Sequence, residues 1–385
     1  MFFSKRQSYI SLENPEDEEA KIGNYPHSQN EKKTTVEINL SGIIVIVLLL
    51  TLSITSIWAL FIQNIIHWSA VATPSITFST KCVSPPVRRE WRTLSTSARE
   101  RYIDAVQCLT TKPSRVRNNG SLYDDFPYIH QQTAPTAHSA APFLPWHRYF
   151  IHVYEDALRN ECSYKGDLPY WDWSADWKDF ANSPIWDSQR GFGGDGKSSD
   201  ESTVGQGSCV MDGPFAGLEA MFYGDDYKPH CLSRGFSTGK SLQELSELIK
   251  PDVVDEIMQE KEFKDFAERL EKNAHRFVSG RIRGDFSKFT GPYGKNPLQF
   301  SLFSPISFPT HPVFFLHHAN LDRLWWEWQQ EDPEKRLLAY GGKAPKVATS
   351  PTVQLTDMLS VGELKRQVSV KEVMQTDSGM FCYQY

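Results

Sequence analysis

HSAAPFLPWHRYFIHVYE (138–155) and HPVFFLHHANLD (311–322) carry six of the eleven histidines in this 385-residue chain. In the first stretch, Pro145 followed by 146–160 reads as a helix with proline at its start, a position where the missing N–H costs nothing. His147 opens that helix. In the second, 317–330 (HHANLDRLWWEWQQ) reads as another strong helix. Working outward, His130 and His138 frame HQQTAPTAH, read as a loop, and His275 stands alone in LEKNAHRFVSGRIRGD (270–285). Imidazole suits copper, iron and zinc, and copper binds most tightly in the divalent series. Facing helices of a bundle can project such ligands into its centre. A two-metal site held by histidines alone would leave positions open for a bridging O2.

The rest of the chain sets the frame. Hydrophobic residues make up 40% and aromatic residues 13%, enough for a large packed core. Net charge is −6 with no basic block, which argues against a nucleic-acid partner. Residues 1–37 are polar and read as a disordered tail. No charged residue occurs from Ile38 to Thr80, and 42–62 (GIIVIVLLLTLSITSIWALFI) is long enough to span a bilayer. A signal peptide fits less well, because the run starts some forty residues in. Trp58 and Trp68 would sit near the outer interface. Lys32 and Lys33 precede the span and the next basic residue is Lys81, so the N-terminus is expected in the cytoplasm. All six cysteines (Cys82, Cys108, Cys162, Cys209, Cys231, Cys382) follow the span, as suits an oxidising lumenal or extracellular side. Asn119-Gly120-Ser121 is a glycosylation triplet usable there. Residues 63–81 read as a tether and 82–385 as one mainly α-helical domain. Helical patterns also cover 89–109 and 241–277, the latter broken at Pro251, while 183–239 reads as surface loop.

The two opening stretches resemble the two copper-site signatures of tyrosinases, catechol oxidases and haemocyanins. The second departs from Asp-Pro-x-Phe-aromatic-x-x-His-x-x-x-Asp only at its first residue, His311. YDDFPYIH (123–130), LPYWDWSAD (168–176) and LDRLWWEWQ (321–329) look like fungal members of that family. The resemblance covers most of 82–340. It implies a tyrosinase-like helical bundle holding a dinuclear copper site. It also implies a first copper on His130, His138 and His147, and a second on His318 and two histidines four apart on an earlier helix. The chemistry implied is oxidation of phenolic or catechol-like substrates to quinones by O2, in pigment or secondary-metabolite synthesis.

Only one histidine, His275, stands where the resemblance implies two. Reading from Leu270-Glu271, His275 takes the first slot, Ser279 the second, and Gly284-Asp285 the following turn. A shifted reading gives Glu271 the first slot and His275 the second. His311 is a further candidate for the missing ligand, or a substituted residue beside the site. Arg276 follows His275 where tyrosinases that hydroxylate monophenols often have Asn. His317 would point about 100 degrees from His318 and reads as packing. His152, His230 and His67 read as structural. Arg148 and Asp322 read as charges near the site that could pair. The ending Tyr383-Gln384-Tyr385 resembles the Tyr-x-Tyr that closes the family's catalytic core, and suggests an uncovered core. A tyrosinase-fold pseudoenzyme with an incomplete second site is the alternative to an oxidase; an O2 carrier fits the anchor less well.

Overall fold

The computed structural model describes residues 44, 48–59, 81–197, 203–223, 226–288, 306–307, 310–348 and 350–385, apart from a few side chains that include Arg276. The chain divides into two units, Met1–Ser75 and Ile76–Tyr385. In the first, residues 48–59 are helical. No helix among the described residues is long and apolar enough to cross a membrane. The expected span 42–62 is described only at 44 and 48–59; the tail 1–37, His67, Trp68 and the tether up to residue 80 lie outside the described residues.

The second unit is helical, as expected. Its first helices are α1 (Thr96–Thr110), α2 (Leu122–Ala137) and α3 (Phe143–Cys162). Ser95 caps α1 through Ala98 N–H, and Ser121 and Asp124 form a reciprocal capping box on α2. These bonds satisfy N–H groups that a helix start leaves orphaned. The segment 130–138, read as a loop, is helical through Ala137 despite Pro135. Burial of Ala134 and Ala137 outweighs the proline's lost hydrogen bond. Helix α3 begins at Phe143 rather than Trp146, and almost all of its first four turns is buried.

Residues 183–239 are mostly loop, stapled by two antiparallel pairs: β1 (Ser208–Cys209) with β4 (Ser233–Arg234), and β2 (Glu219–Tyr223) with β3 (Asp226–Cys231). The region read as one or two helices is finer-grained. It comprises α4 (Gly239–Leu248), α5 (Pro251–Met258), α6 (Phe263–Leu270), a π-helical turn Glu271–His275, and α7 (Arg276–Ile282). Helix α8 (Val313–Glu331) starts one turn earlier than the sequence suggests and packs lengthwise on α3.

All six cysteines pair. Cys108–Cys162 joins α1 to the end of α3, Cys209–Cys231 closes the β1–β3 region, and Cys82–Cys382 ties the start of the unit to its end. Closing a loop of this size stabilises mainly by restricting the unfolded chain.

Arg148 of α3 donates from Nε to Asp322 Oδ1 of α8 at 2.5 Å, the pairing expected from the sequence. Tyr383 and Tyr385 donate to Asp322 Oδ2 at 2.7 and 2.6 Å, so the Tyr-x-Tyr ending closes on the same carboxylate. His152 packs its ring against Phe381, a structural role as read.

His230 is also structural. Its Nε2 lies 2.8 Å from Asp285 Oδ1 and its Nδ1 2.6 Å from the Lys228 carbonyl, so both ring nitrogens face oxygen acceptors. Asp285 accepts Ser233 N–H as well, which fixes the turn after α7. Burial alone would lower the His230 pKa, but the Asp285 hydrogen bond and charge outweigh it and raise it. A raised histidine adds stability that is full below its unfolded pKa of about 6.5 and is lost as pH rises through the higher folded value. We therefore expect the gap in melting temperature between wild type and His230→Gln to be widest below about pH 6 and to narrow as pH rises through the higher folded value. Melting temperature against pH for both proteins checks it.

Candidate metal centre

Helices α2, α3 and α8 and the π-helical turn bring six histidines to one place. His130 lies within α2, His138 caps its C-terminus, and His147 sits one turn into α3. Their Nε2 atoms converge: His138 to His130 at 3.1 Å and His130 to His147 at 3.3 Å. Three nitrogens bonded to one ion at about 2.0–2.1 Å would stand about this far apart. The outward nitrogens of two rings are anchored. His147 Nδ1 donates to the Phe143 carbonyl at 2.7 Å, and His138 Nδ1 donates to Glu271 Oε1 at 3.1 Å. Each bond fixes the tautomer that leaves Nε2 facing the centre.

The second group is His275, His317 and His318, all buried, with ligand atoms within 4.8 Å of one another. His275 ends the π-helical turn, a local form frequent at functional sites. Its ring stands 5.4 Å from His317 and 5.1 Å from His318, centroid to centroid, so it lies between two side chains that splay apart on α8. The ring nitrogens of His317 and His318 have no hydrogen-bond partner among the described residues. Leaving such groups buried and unpaired is costly unless something else binds them. The two groups face each other: the His147 and His318 rings stack at 4.2 Å and 12°.

Burial, with neighbouring histidines adding to it, holds His130, His147 and His318 well below the usual imidazole pKa. Burial pulls His317 down to about 3. Neutral imidazole is the form that binds a metal. Converging nitrogens, unpartnered buried rings and neutral donors all fit copper.

The three candidates for the missing ligand are each engaged elsewhere. Glu271 turns to the first group, accepting from His138 Nδ1 and from Ser139 N–H. Ser279 is fully buried on α7 and donates to the His275 carbonyl at 2.6 Å. His311 Nε2 accepts from Arg234 Nε at 2.9 Å, and its Nδ1 lies 3.2 Å from Val313 N, so the ring is turned to protein neighbours. His317, read as packing, lies with His275 and His318 in a group that could hold a metal ion. Its signal in the sequence was the His-His doublet, but helical spacing alone placed it on another face.

The architecture is a helical unit with two facing histidine groups that could each hold a metal ion. The common central domain of tyrosinase matches residues 120–331. Among similar proteins is a tyrosinase-like protein, phomQ2, of Diaporthe leptostromiformis, 41% identical over 306 residues (79% of this chain, 74% of that one). Another is the tyrosinase ustQ of Aspergillus flavus, 40% identical over 305 residues (79% and 80%). A polyphenol oxidase variant from Thermothelomyces thermophila superposes with a TM-score of 0.64 at 25% identity, covering 78% of this chain and 88% of that one. The chain belongs to the tyrosinase family and is an oxidoreductase. Proteins of this family bind copper and use O2 on phenolic substrates.

Ser279 is fully buried. Ser279→His is expected to overpack α7 and destabilise the protein by about 1–3 kcal/mol, with no gain in bound copper. Denaturant unfolding and metal analysis of the purified variant check both parts.

Proposed function

We propose that this chain oxidises catechol-like or other phenolic substrates to quinones with O2 at two copper ions. The first is held by His130, His138 and His147, and the second by His275, His317 and His318. The observation that carries the reading is the pair of buried histidine groups joined by the His147–His318 stack. When bound, copper supplies the redox chemistry: one O2 takes four electrons and four protons from two catechols, giving two quinones and two waters. The protein's part is positional. Helices α2, α3 and α8 and the π-turn hold neutral imidazoles at fixed spacing. Phe143 and Phe314 pack against the His147 and His318 rings and keep the site dry. Pigment or secondary-metabolite synthesis is the setting we infer; the fungal relatives support it.

In this reading His317 replaces the histidine that the resemblance puts at Ser279. Full-length protein should bind two copper ions per chain and consume O2 with a catechol. His317→Phe should bind one, with O2 uptake lost. Metal analysis and an oxygen electrode decide it. A wild-type protein that binds one copper and consumes no O2 would instead favour the pseudoenzyme.

We also propose that 42–62 crosses a membrane, with the N-terminus cytoplasmic and the oxidase unit lumenal or extracellular. Support comes from the uncharged sequence and from the exposed apolar side chains around residues 48–59. The hydroxyls of Thr51, Ser53, Thr55 and Ser56 bond back to their own helix carbonyls, as lipid surroundings require. Three disulfides suit the oxidising side. The full chain should stay in the membrane pellet after alkaline carbonate washing, and the copper unit should resist protease in sealed microsomes. Release by carbonate, or digestion, would overturn the assignment.

A further inference from the structure

The three histidines of the first group are held in different ways. His130 and His147 project from helix interiors, where the backbone is fixed by its own hydrogen bonds. His138 does not. It is the C-cap residue of α2 with extended backbone (φ −112°, ψ 148°), and the next residue, Ser139, has φ +54°. A serine rarely adopts that left-handed conformation, and it persists only when its surroundings hold it. Nothing in the local helix aims the His138 ring.

What aims it comes from far along the chain. The Glu271 carboxylate accepts from His138 Nδ1 at 3.1 Å and from Ser139 N–H at 2.9 and 3.0 Å. One side chain therefore grips both the ring and the bent backbone that carries it. Glu271 is itself buried, at 7% exposure, and opens the π-helical turn that ends at His275. The first histidine group and the segment bearing the second thus meet at this carboxylate. It also lines a pocket of about 150 Å³, together with Ser139, Ala140, Lys264, Lys272 and Gly342.

We propose that Glu271 is a positioning residue that clamps His138. It fixes the ring's tautomer and direction, so that Nε2 stays with His130 and His147. This rests on the assignment of His138 as a metal ligand. The physical logic is that of a ligand histidine whose second nitrogen donates to a carboxylate, an arrangement whose loss costs about 10–100-fold in metal affinity. Because Glu271 lines the pocket, its truncation connects that pocket to the His138 ring and admits small carboxylates.

The test uses Cu(II) alone as probe, titrated into full-length apoprotein and followed by electron paramagnetic resonance. Two variants of similar volume separate acceptor chemistry from packing. Glu271→Gln keeps an oxygen that can accept, and should bind the first copper within a few-fold of wild type. Glu271→Met fills the space without a strong acceptor, and should bind it about 10–100-fold more weakly, with an altered copper spectrum and a melting temperature close to that of Glu271→Gln. Glu271→Ala should bind weakly as well, and added formate should restore much of the affinity. Equal affinity in the Gln and Met variants, or no effect of formate on the Ala variant, would overturn the clamp. A wild-type protein that binds no Cu(II) would overturn the copper assignment, and the clamp with it.

Discussion

One carboxylate organises the catalytic unit. Asp322, buried in α8, accepts from Arg148 of α3, from Arg88 near the start of the unit, and from the hydroxyls of Tyr383 and Tyr385 at its end. Burial would raise its pKa, but the two guanidinium groups outweigh that and hold it below the usual carboxylate value. Arg88 reaches on to Glu155 of α3 at 2.5 Å and lies over the Tyr383 ring at 3.5 Å. A buried ion network of this kind adds little net stability over an apolar core. Breaking it by removing one partner is costly, at about 3–5 kcal/mol, because the other charges stay buried. It acts here to specify one register between α3 and α8.

The metal centre depends on that register. His147 is one residue before Arg148 and His318 is one helical turn before Asp322, so the pair that locks the helices also stacks the two rings. A slide of one helix past the other would part the two histidine groups. The Cys108–Cys162 bridge and the Cys82–Cys382 bridge restrain the far ends of the same assembly. The remaining pieces, His138 and His275, arrive from segments that are not regular α-helix at those residues. They need tertiary contacts to be aimed, which is where Glu271 and the π-turn enter.

Much of this was legible beforehand because the signals are local. The α3 and α8 helices, the first histidine group, the Arg148–Asp322 pairing and the Tyr-x-Tyr closure follow from spacing, burial pattern and resemblance. Other features were not legible. The stretch between His130 and His138 read as a loop, yet burial of Ala134 and Ala137 keeps α2 helical across Pro135. His317 sits next to His318, so helical geometry alone sends it elsewhere. Only the position of His275, supplied by the π-turn between the two rings, groups them.

The sequence by itself determined the family, the helical class, the first histidine group and the absence of the usual second histidine on the segment around His275. Those are matters of residue identity and short-range period. Tertiary structure alone decided which histidines group with His275 and which candidates were already engaged. Whether Glu271, His311 or His317 faces a metal depends on contacts between residues dozens to more than a hundred positions apart. Such contacts are set by how helices pack, and no local spacing encodes them.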